Sequence, residues 1–321
     1  MPEVPPIAIH KVGPLAARFL SERASGEVGA VFEHSFYISL RGHWICLLPS
    51  GFGNGPLNVL CDTGQYPRAP VRLGETVAVA NETVRVGTSI TFSLAAAERW
   101  SPPSVASWNS TTLARGLAAL DAVLPTCPVP RESLTACWLT PCEMPNRLGL
   151  VASAAYPPMR HLRDVLAKST SAGVARDLDI EPVLPLIGLG GGLTPSGDDA
   201  LGGAMIALHC MGCDWLRDAF WSRLQASAAT GTGPISYAHL EAAAQGYGHE
   251  ALHWTLNTLL AGRAGDMRAN LAAIGAIGHT SGWDALAGIV LALQALTAAA
   301  ANGPRRPRRG PEAEKPHAIR Q

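Results

Sequence analysis

The sequence predicts an α+β fold in which a small β-rich N-terminal barrel or sandwich domain precedes a mainly α-helical C-terminal domain. Short segments rich in Val, Ile, Thr and aromatic residues, separated by Gly, Asn and Pro, fill residues 26–95 and are typical of strands joined by turns. Beyond residue 159, alanine-rich segments repeat at helical spacing. A chain of 321 residues is long enough to bury two cores. We therefore expect a β-rich domain over residues 1–100 and a helical domain over residues 101–301.

The positions of the predicted elements follow from these patterns. Strands are expected at residues 28–40, 43–48, 57–61, 76–80, 83–86 and 89–93, and short strands in such close succession favour a barrel or sandwich. Helices are expected at residues 111–123, 160–177, 196–211, 214–229, 236–245, 250–260, 267–274 and 282–300. Residues 125–158 contain repeated prolines and are predicted to be irregular. Residues 302–321 are rich in Pro, Arg and Glu with almost nothing to bury, which predicts a disordered tail.

The composition narrows the class of protein. Lys and Arg together number 25, as do Asp and Glu, so no overall charge favours nucleic acid or an anionic membrane. No apolar run approaches the ~20 residues that cross a bilayer, and residues 1–30 lack the pattern of a secretory signal. The seven cysteines have irregular spacing and form no zinc-binding pattern. We expect a cytoplasmic protein with reduced thiols that binds neither nucleic acid nor membrane.

A glycine-rich run, GLGGGLTPSGDD at residues 188–199, is the strongest candidate for a site. Its glycines permit backbone conformations and close approaches that other residues rarely adopt. The Thr-Pro-Ser of residues 194–196 predicts a helix start with a capping hydroxyl and an early proline. Asp198 and Asp199 then fall in the first turn, where free N–H groups bind anions and carboxylates bind a cation or a proton. The spacing matches neither a Walker A loop nor a dinucleotide fingerprint. A capped turn without a ligand is the alternative, since acids favour helix N-termini.

The motif has a second copy further along the chain. SGDDALGG at residues 196–203 is matched by SGWDALAG at residues 281–288, and both precede apolar segments at helical spacing. Two helices are therefore predicted to begin with the same Ser-Gly-x-Asp turn. If these helices pack as a pair, Asp199 and Asp284 approach each other across a shared pocket. Two independent, well-capped core helices are the alternative, although a cap needs only the serine.

These motifs resemble those of the AllH family, the oxamate carbamoyltransferase subunit. The resemblance is carried by GLGGGLTPSGDDALGG at residues 188–203, GHTSGWDALAG at 278–288, TGTGPIS at 230–236 and GNGPL at 53–57. It covers about residues 26–300. Gly191 stands where many members have proline, and the segment at 230–236 is richer in glycine than is usual in the family.

The resemblance implies a subunit of an enzyme that converts oxalurate and phosphate to oxamate and carbamoyl phosphate in allantoin breakdown. It implies other carbamoyltransferase subunits as partners, and phosphate with a small anionic substrate as ligands. The predicted catalytic residues are Asp198, Asp199, Asp284 and His279. The residues predicted to bind the anion or substrate are Gly190, Gly191, Gly192, Thr194, Ser196, Gly197, Ser281 and Gly282. We further predict that Asp198 and Asp199 hold a Mg²⁺ ion, because two acids beside an anion would otherwise repel it.

Two other functions stay open on the sequence alone. One is a non-catalytic subunit that binds ligand or scaffolds the assembly, because catalysis in a multi-subunit enzyme can lie on another chain. The other is a different enzyme that transforms amides or carboxylates, because neither fold nor motif fixes the substrate.

The run HEALH at residues 249–253 matches the zinc-binding pattern of metallopeptidases. Two histidines four residues apart share one helix face, but such a site needs a third protein ligand. The extended pattern that supplies this ligand does not follow, and the next predicted helix contains no glutamate. We therefore expect an ordinary amphipathic helix here rather than a peptidase centre.

Overall fold

A computed structural model describes residues 5–62, 64, 66, 71–139, 149–172 and 178–302. The N-terminal part is one sheet with a short helix, α1 (Pro14–Leu20), after its first strand. The strands are β1 (Ile7–Val12), β2 (Ala24–Val31), β3 (Phe36–Leu40), β4 (His43–Pro49), β5 (Asn58–Cys61), β6 (Thr76–Ala80), β7 (Thr83–Val86), β8 (Ile90–Ser93) and β9 (Glu98–Arg99).

The sheet closes into an eight-stranded barrel. Its strand order is β5-β4-β3-β2-β6-β7-β8-β1, and β1 also pairs antiparallel with β5, which removes both edges. The short strand β9 adds to β1 outside this ring. Apolar residues on the inward face of each strand fill the interior, among them Ile38, Ile45 and Phe92, all essentially inaccessible to solvent. The predicted β-rich N-terminal domain is thus confirmed as a barrel.

The strand predictions fail mainly at the start of the chain. Strand β1 and helix α1 lie before the first predicted strand and were missed, although Pro5, Pro6, Gly13 and Pro14 bracket β1 as turn residues bracket the other strands. The predicted strand at residues 28–40 is two strands, because a turn closed by the bond from the Phe32 N–H to the Ser35 carbonyl (2.8 Å) separates β2 from β3. The remaining predicted strands match β4 to β8 to within one residue at each end.

The C-terminal part is helical, as predicted. Its helices are α2 (Ser110–Val123), α3 (Leu134–Trp138), α4 (Leu150–Ala172), α5 (Ser196–Cys210), α6 (Asp214–Gly231), α7 (Pro234–Ala244), α8 (Glu250–Ala261), α9 (Met267–Gly275) and α10 (Ser281–Asn302). They enclose one hydrophobic core in which α5 and α10 contribute the central residues. Among the described residues, no helix is both long enough and apolar enough to cross a membrane.

The expectation that residues 125–158 are irregular is wrong for residues 134–138 and 150–158, which are helical, whereas residues 127–133 are irregular as predicted. Helix α3 lies within this range, and α4 begins at Leu150 and runs through Pro157 and Pro158. Ala152, Ala155 and Met159 of α4 are fully buried at helical spacing. Burial of this continuous apolar stripe offsets the hydrogen bonds that the two prolines remove. The prolines alone therefore gave a misleading prediction.

The two motif-bearing helices cross at unusually close range. A Cβ atom added to Gly203 of α5 would lie 2.0 Å from the carbonyl oxygen of Ala285 in α10. In return, a Cβ atom added to Gly288 of α10 would lie 1.8 Å from the carbonyl oxygen of Ala200 in α5. Gly203 and Gly288 are equivalent positions of the two motif copies, as are Ala200 and Ala285. The two copies thus pack against each other reciprocally.

Helix α7 joins the barrel to the helical part. Ile235 packs in a small apolar cluster with barrel residues that include Leu48 and Leu60. Ala238 and Ala242 pack in another with Leu15 and Leu57. The domain boundaries near residues 100 and 301 stay predictions, and the predicted disordered tail, apart from Asn302 at the end of α10, lies outside the described residues.

Candidate functional site

A cleft of about 680 Å³ lies where the barrel meets the N-termini of α5 and α10. The barrel contributes strands β3 and β4 and the segment around residues 52–58 to its wall. The helical part contributes the glycine-rich loop, the start of α5, one side of α7, and residues 276–282 before and at the start of α10. A cleft of this size is typical of small-molecule sites. Both copies of the repeated motif therefore border one cavity, as the sequence predicted for a shared pocket.

Asp199 is the acid of the motif that lies at this cleft with a partly exposed side chain. The Thr194 hydroxyl donates to its Oδ2 atom at 3.2 Å, and the Ser281 hydroxyl also donates to this carboxyl group. Burial raises the pKa of Asp199 well above its ordinary value, and the nearby charge of Asp284 raises it further against these hydrogen bonds. The protonated, uncharged form is thereby favoured, and such a group can exchange a proton with a ligand.

Asp284, the equivalent acid of the second copy, lies behind the cleft wall. It is fully buried, and its Oδ1 atom accepts the Leu134 N–H at 2.6 Å, at the start of α3. Burial raises the pKa of Asp284, and the Leu134 N–H and the hydroxyls of Ser196 and Thr280 oppose this shift. Its Oδ2 atom has no hydrogen-bond partner of normal geometry among the described residues. Asp199 and Asp284 thus lie close together, as expected, but Asp284 is covered by α3.

Asp198 also lines the cleft, but its carboxylate is held by hydrogen bonds within the protein. It is buried, with 2% of its surface exposed, and its Oδ1 atom accepts the Gly188 N–H at 2.9 Å. Its Oδ2 atom accepts hydrogen bonds from the hydroxyls of Thr232 and of Ser236, the latter at 2.7 Å. These three donors occupy both oxygens. The carboxylate therefore joins the glycine-rich loop to the start of α7.

The glycines of the two motifs divide into two groups. The N–H of Gly197 donates to Leu189 (2.9 Å) and that of Gly282 donates to Ile277 (3.1 Å), so neither is free to bind an anion as predicted. The N–H groups of Gly190, Gly191 and Gly192 have no acceptor among the described residues. Gly191 and Gly192 also line the cleft.

The hydroxyl groups at the helix starts form bonds between the two copies rather than caps. Helix α5 begins after Pro195 and has no side-chain cap, so the predicted capping hydroxyl is wrong. Instead the Thr194 hydroxyl lies 3.0 Å from the Ser281 hydroxyl, and the hydroxyls of Ser196 and Ser281 lower the pKa values of Asp284 and Asp199, respectively. The serine of each copy therefore serves the aspartate of the other.

Two family models match the chain. The one described as oxamate carbamoyltransferase subunit AllH matches residues 186–293, and the one described as the AllH family N-terminal domain matches residues 8–99. The chain belongs to the AllH family. The first match contains the two motif copies at the cleft, and the second coincides with the barrel. No curated protein and no solved structure matches the chain significantly.

In this AllH family member, three residues of the cleft wall were not predicted from the sequence. Tyr37 of β3 and Cys46 of β4 come from the barrel, and His239 comes from α7. The Tyr37 hydroxyl lies 3.5 Å from Nε2 of His239 and so joins the two domains. Burial lowers the pKa of His239 to about 4 and raises that of the Cys46 thiol to about 12, so both are uncharged near neutral pH. No local motif marks them, because they converge only through the packing of α7 on the barrel.

His279 lies at the rim of the cleft and is mostly exposed. Its Nε2 atom is 2.6 Å from a carboxylate oxygen of Glu132, which also lines the cleft. A hydrogen bond within Glu132 itself and the contact with His279 lower the pKa of the Glu132 carboxyl group. The position is compatible with the predicted contact to a ligand, although the ring stands outside the enclosed part of the cavity.

The HEALH segment of this AllH family member forms no metal centre. His249 precedes α8: its Nδ1 atom accepts the Ala251 N–H (3.2 Å), so its Nε2 atom donates to the Phe52 carbonyl (3.0 Å). Glu250 accepts a hydrogen bond from the Asn54 amide at 2.6 Å. His253 is buried and accepts the Gly248 N–H at 3.1 Å. These residues hold the barrel against the helices.

The described residues provide no cluster of three potential ligands for the predicted Mg²⁺ ion. Within the described ranges, no three His, Cys, Asp or Glu side chains are arranged to hold a metal ion. Both Asp198 oxygens already accept hydrogen bonds, which leaves Asp199 as a single ligand. The Mg²⁺ ion stays a prediction, and we assign it no step.

Proposed function

We propose that this chain is a subunit of an oxamate carbamoyltransferase-type complex and that its interdomain cleft binds the substrates. The single observation that carries the proposal is that Asp199 borders the same cleft as the Gly191 and Gly192 N–H groups, which have no acceptor among the described residues. Both belong to the segment that the AllH model matches. In this proposal the glycine-rich loop holds phosphate, and Asp199 faces the group that is transferred.

The reaction requires one proton to move. A phosphate oxygen attacks the carbamoyl carbon of oxalurate, the bond from that carbon to the inner nitrogen breaks, and the nitrogen leaves as the amide of oxamate. The nitrogen gains one proton, and hydrogen phosphate loses one. In this proposal Asp199 starts in the uncharged form that its raised pKa favours, donates its proton to the leaving nitrogen and regains one from phosphate.

The charge that develops during transfer also needs stabilisation. Backbone N–H donors directed at a developing oxyanion contribute about 3 kcal/mol each when well placed. Gly191 and Gly192 line the cleft with N–H groups that have no acceptor among the described residues. We propose these N–H groups as the donors. The hydroxyls of Thr194, Ser196 and Ser281, which interact with Asp199 and Asp284, are proposed to position these acids beside the anion. His279 is proposed as a further contact to phosphate at the rim.

The proposed assembly with partner subunits is supported by what the cleft lacks. No lysine or arginine lies along it in the described part of the chain, although both proposed substrates are anions. In this proposal a partner subunit supplies the positive charge. The same observation favours the second candidate function, a ligand-binding subunit whose catalytic groups lie on another chain.

The test is to purify the chain alone and together with the proteins encoded beside it, and to follow carbamoyl phosphate formation from oxalurate and phosphate by ³¹P NMR. We expect turnover by the assembled complex and little or none by the chain alone. Full activity of the isolated chain contradicts the need for partners. Turnover by the complex that is unchanged in the Asp199→Asn variant favours the second candidate.

A further inference from the structure

The part of the cleft wall where strand β3 meets helix α7 has a distinct chemistry. Tyr37 is almost fully buried, and its hydroxyl pairs with His239 Nε2 across the domain boundary. Asp199 lies near enough for its charge to raise the pKa of Tyr37, together with burial and the Cys46 thiol. A phenol, an imidazole and a carboxyl group therefore meet on one side of the cavity.

Tyr37 and His239 are uncharged near neutral pH, and the raised pKa of Asp199 favours its uncharged form, but all three remain hydrogen-bonding groups. The phenol both donates and accepts, and the neutral imidazole has one donor and one acceptor nitrogen. A protonated carboxyl group offers a donor and an acceptor side by side. This combination matches a primary amide, which presents an acceptor oxygen and a donor nitrogen in the same plane. A carboxylate presents acceptors only, and burying its charge against this wall is costly.

We propose that Tyr37, His239 and Asp199 form an amide-selective wall that binds the uncharged amide or carbamoyl end of the substrate and discriminates against a carboxylate. The inference rests on the proposed function for the identity of the substrate. It deepens that function by assigning an orientation, in which the amide lies against this wall and the anionic groups lie toward the glycine-rich loop.

The closest pair of probes is oxamate and oxalate, which have nearly the same shape and differ by an amide in place of one carboxylate. Dissociation constants for both, and for inorganic phosphate, are measured by isothermal titration on the chain assembled with its partner subunits. We expect oxamate to bind about tenfold more tightly than oxalate or better, because one unpaired buried polar group costs this much.

The variants locate the preference. Tyr37→Phe keeps the ring but removes the hydroxyl, and His239→Leu removes both ring nitrogens; each should reduce oxamate affinity about tenfold and leave phosphate affinity unchanged. His239→Gln restores a donor and an acceptor and should recover part of the loss. Tyr66→Phe is the matched control, because the Tyr66 hydroxyl bonds to the Leu47 carbonyl inside the barrel and does not line the cleft.

The outcomes separate this inference from the proposed function. If the complex transfers no carbamoyl group but the Tyr37→Phe variant loses the preference for oxamate over oxalate, the amide-selective wall is supported and the proposed carbamoyltransferase function is contradicted. A complex that is active but binds oxamate and oxalate equally, or loses nothing in Tyr37→Phe and His239→Leu, overturns the wall. Equal losses in Tyr66→Phe also overturn it, since the effect would then belong to the barrel as a whole.

Discussion

The starts of α5 and α10 carry nearly the same eight residues but have different surroundings. At α5, Asp199 borders the cleft beside the glycine-rich loop. At α10, the equivalent Asp284 is enclosed by α3, whose first N–H it accepts. The local contacts are otherwise reciprocal, since each serine lowers the pKa of the opposite aspartate and each glycine lies against the opposite carbonyl.

The comparison shows that the motif itself specifies the packing of the two helices. The segments that pack over each helix start then determine whether its aspartate can contact a ligand. The open end has an acid available to a ligand. The closed end has an acid whose Oδ2 atom lacks a partner of normal geometry in the described chain, which is costly for a charged group. The substitutions below test whether the two motif copies have different roles, as their different burial suggests.

The largest effect is expected from breaking the reciprocity of the crossing. Gly288→Ala places a methyl group against the Ala200 carbonyl oxygen, and we expect a loss of about 3 kcal/mol in the free energy of unfolding. The measurement is urea unfolding followed by circular dichroism. Gly202→Ala is the control, because its Cβ atom would meet only the Ala243 methyl group at 3.5 Å. The Gly202→Ala variant should gain about 0.5–1 kcal/mol in the free energy of unfolding, because alanine loses less backbone entropy than glycine in a helix. Equal stabilities of the two variants would show that the helices can separate at no cost.

Asp199→Asn tests the open end. The amide resembles the protonated acid in shape but cannot pass a proton, so we expect kcat of the assembled complex to fall about 100-fold or more with no loss of thermal stability. Asp284→Asn should reduce kcat by less than about tenfold, since Asp284 does not reach the cleft. Asp121→Asn, on the exposed face of α2, controls for the loss of one charge. Similar losses in the Asp199 and Asp284 variants would assign both copies the same role.

The role of the buried Asp284 at the start of α10 is tested by the pH dependence of stability. The pKa of Asp284 is raised in the folded protein, so the folded state binds its proton more tightly than the unfolded state. Its stabilising contribution is present at low pH and is lost as the pH rises through the raised pKa. Relative to wild type, Asp284→Asn should therefore become progressively more stable above about pH 4, by at most about 1.4 kcal/mol per pH unit. Urea unfolding from pH 4.5 to 8 measures this difference. A constant difference would mean that Asp284 is ionised throughout.

The smallest effect is expected at the rim. His279→Gln removes a ring that is exposed and paired with Glu132, so we expect the KM for phosphate to rise only a few-fold and the unfolding midpoint to stay unchanged. Steady-state kinetics at two ionic strengths measure it, because an exposed charge is screened by salt. Glu132→Gln should have the opposite effect on KM. A loss as large as that of Asp199→Asn would place His279 in the chemistry itself.

Much of the fold was predictable because its signals are local. Alternating strands punctuated by turn residues gave β4 to β8, and alanine-rich periodicity gave the helices from α5 to α10 nearly to the residue. Helix α4 was predicted to start too late because the prolines were weighted above the buried stripe of Ala152, Ala155 and Met159. Barrel closure through β1 was not predictable, since the pairing of Ile9 with Cys61 joins distant segments.

The part of the site that was predictable is the part formed by the repeated Ser-Gly-x-Asp motif. The repeat predicted the approach of Asp199 to Asp284, but not that α3 covers one of them, because α3 lies far away in sequence. Nor did spacing distinguish Asp198, with its three hydrogen-bond donors, from its neighbour Asp199. Tyr37 and His239 carry no local signal at all, and only the docking of α7 on the barrel brings them together.

One imidazole ring, that of His249, links the barrel to the helical domain, and it can do so only in its uncharged form. His249 caps α8 through Nδ1 and holds the Phe52 carbonyl of the barrel through Nε2, and both bonds exist together only while the ring carries one proton. A second proton would take the lone pair that the Ala251 N–H uses, and burial keeps the pKa of His249 low enough to oppose this. Since Phe52 and His249 both border the cleft, acidity that disrupts this cap also acts on the wall of the cleft.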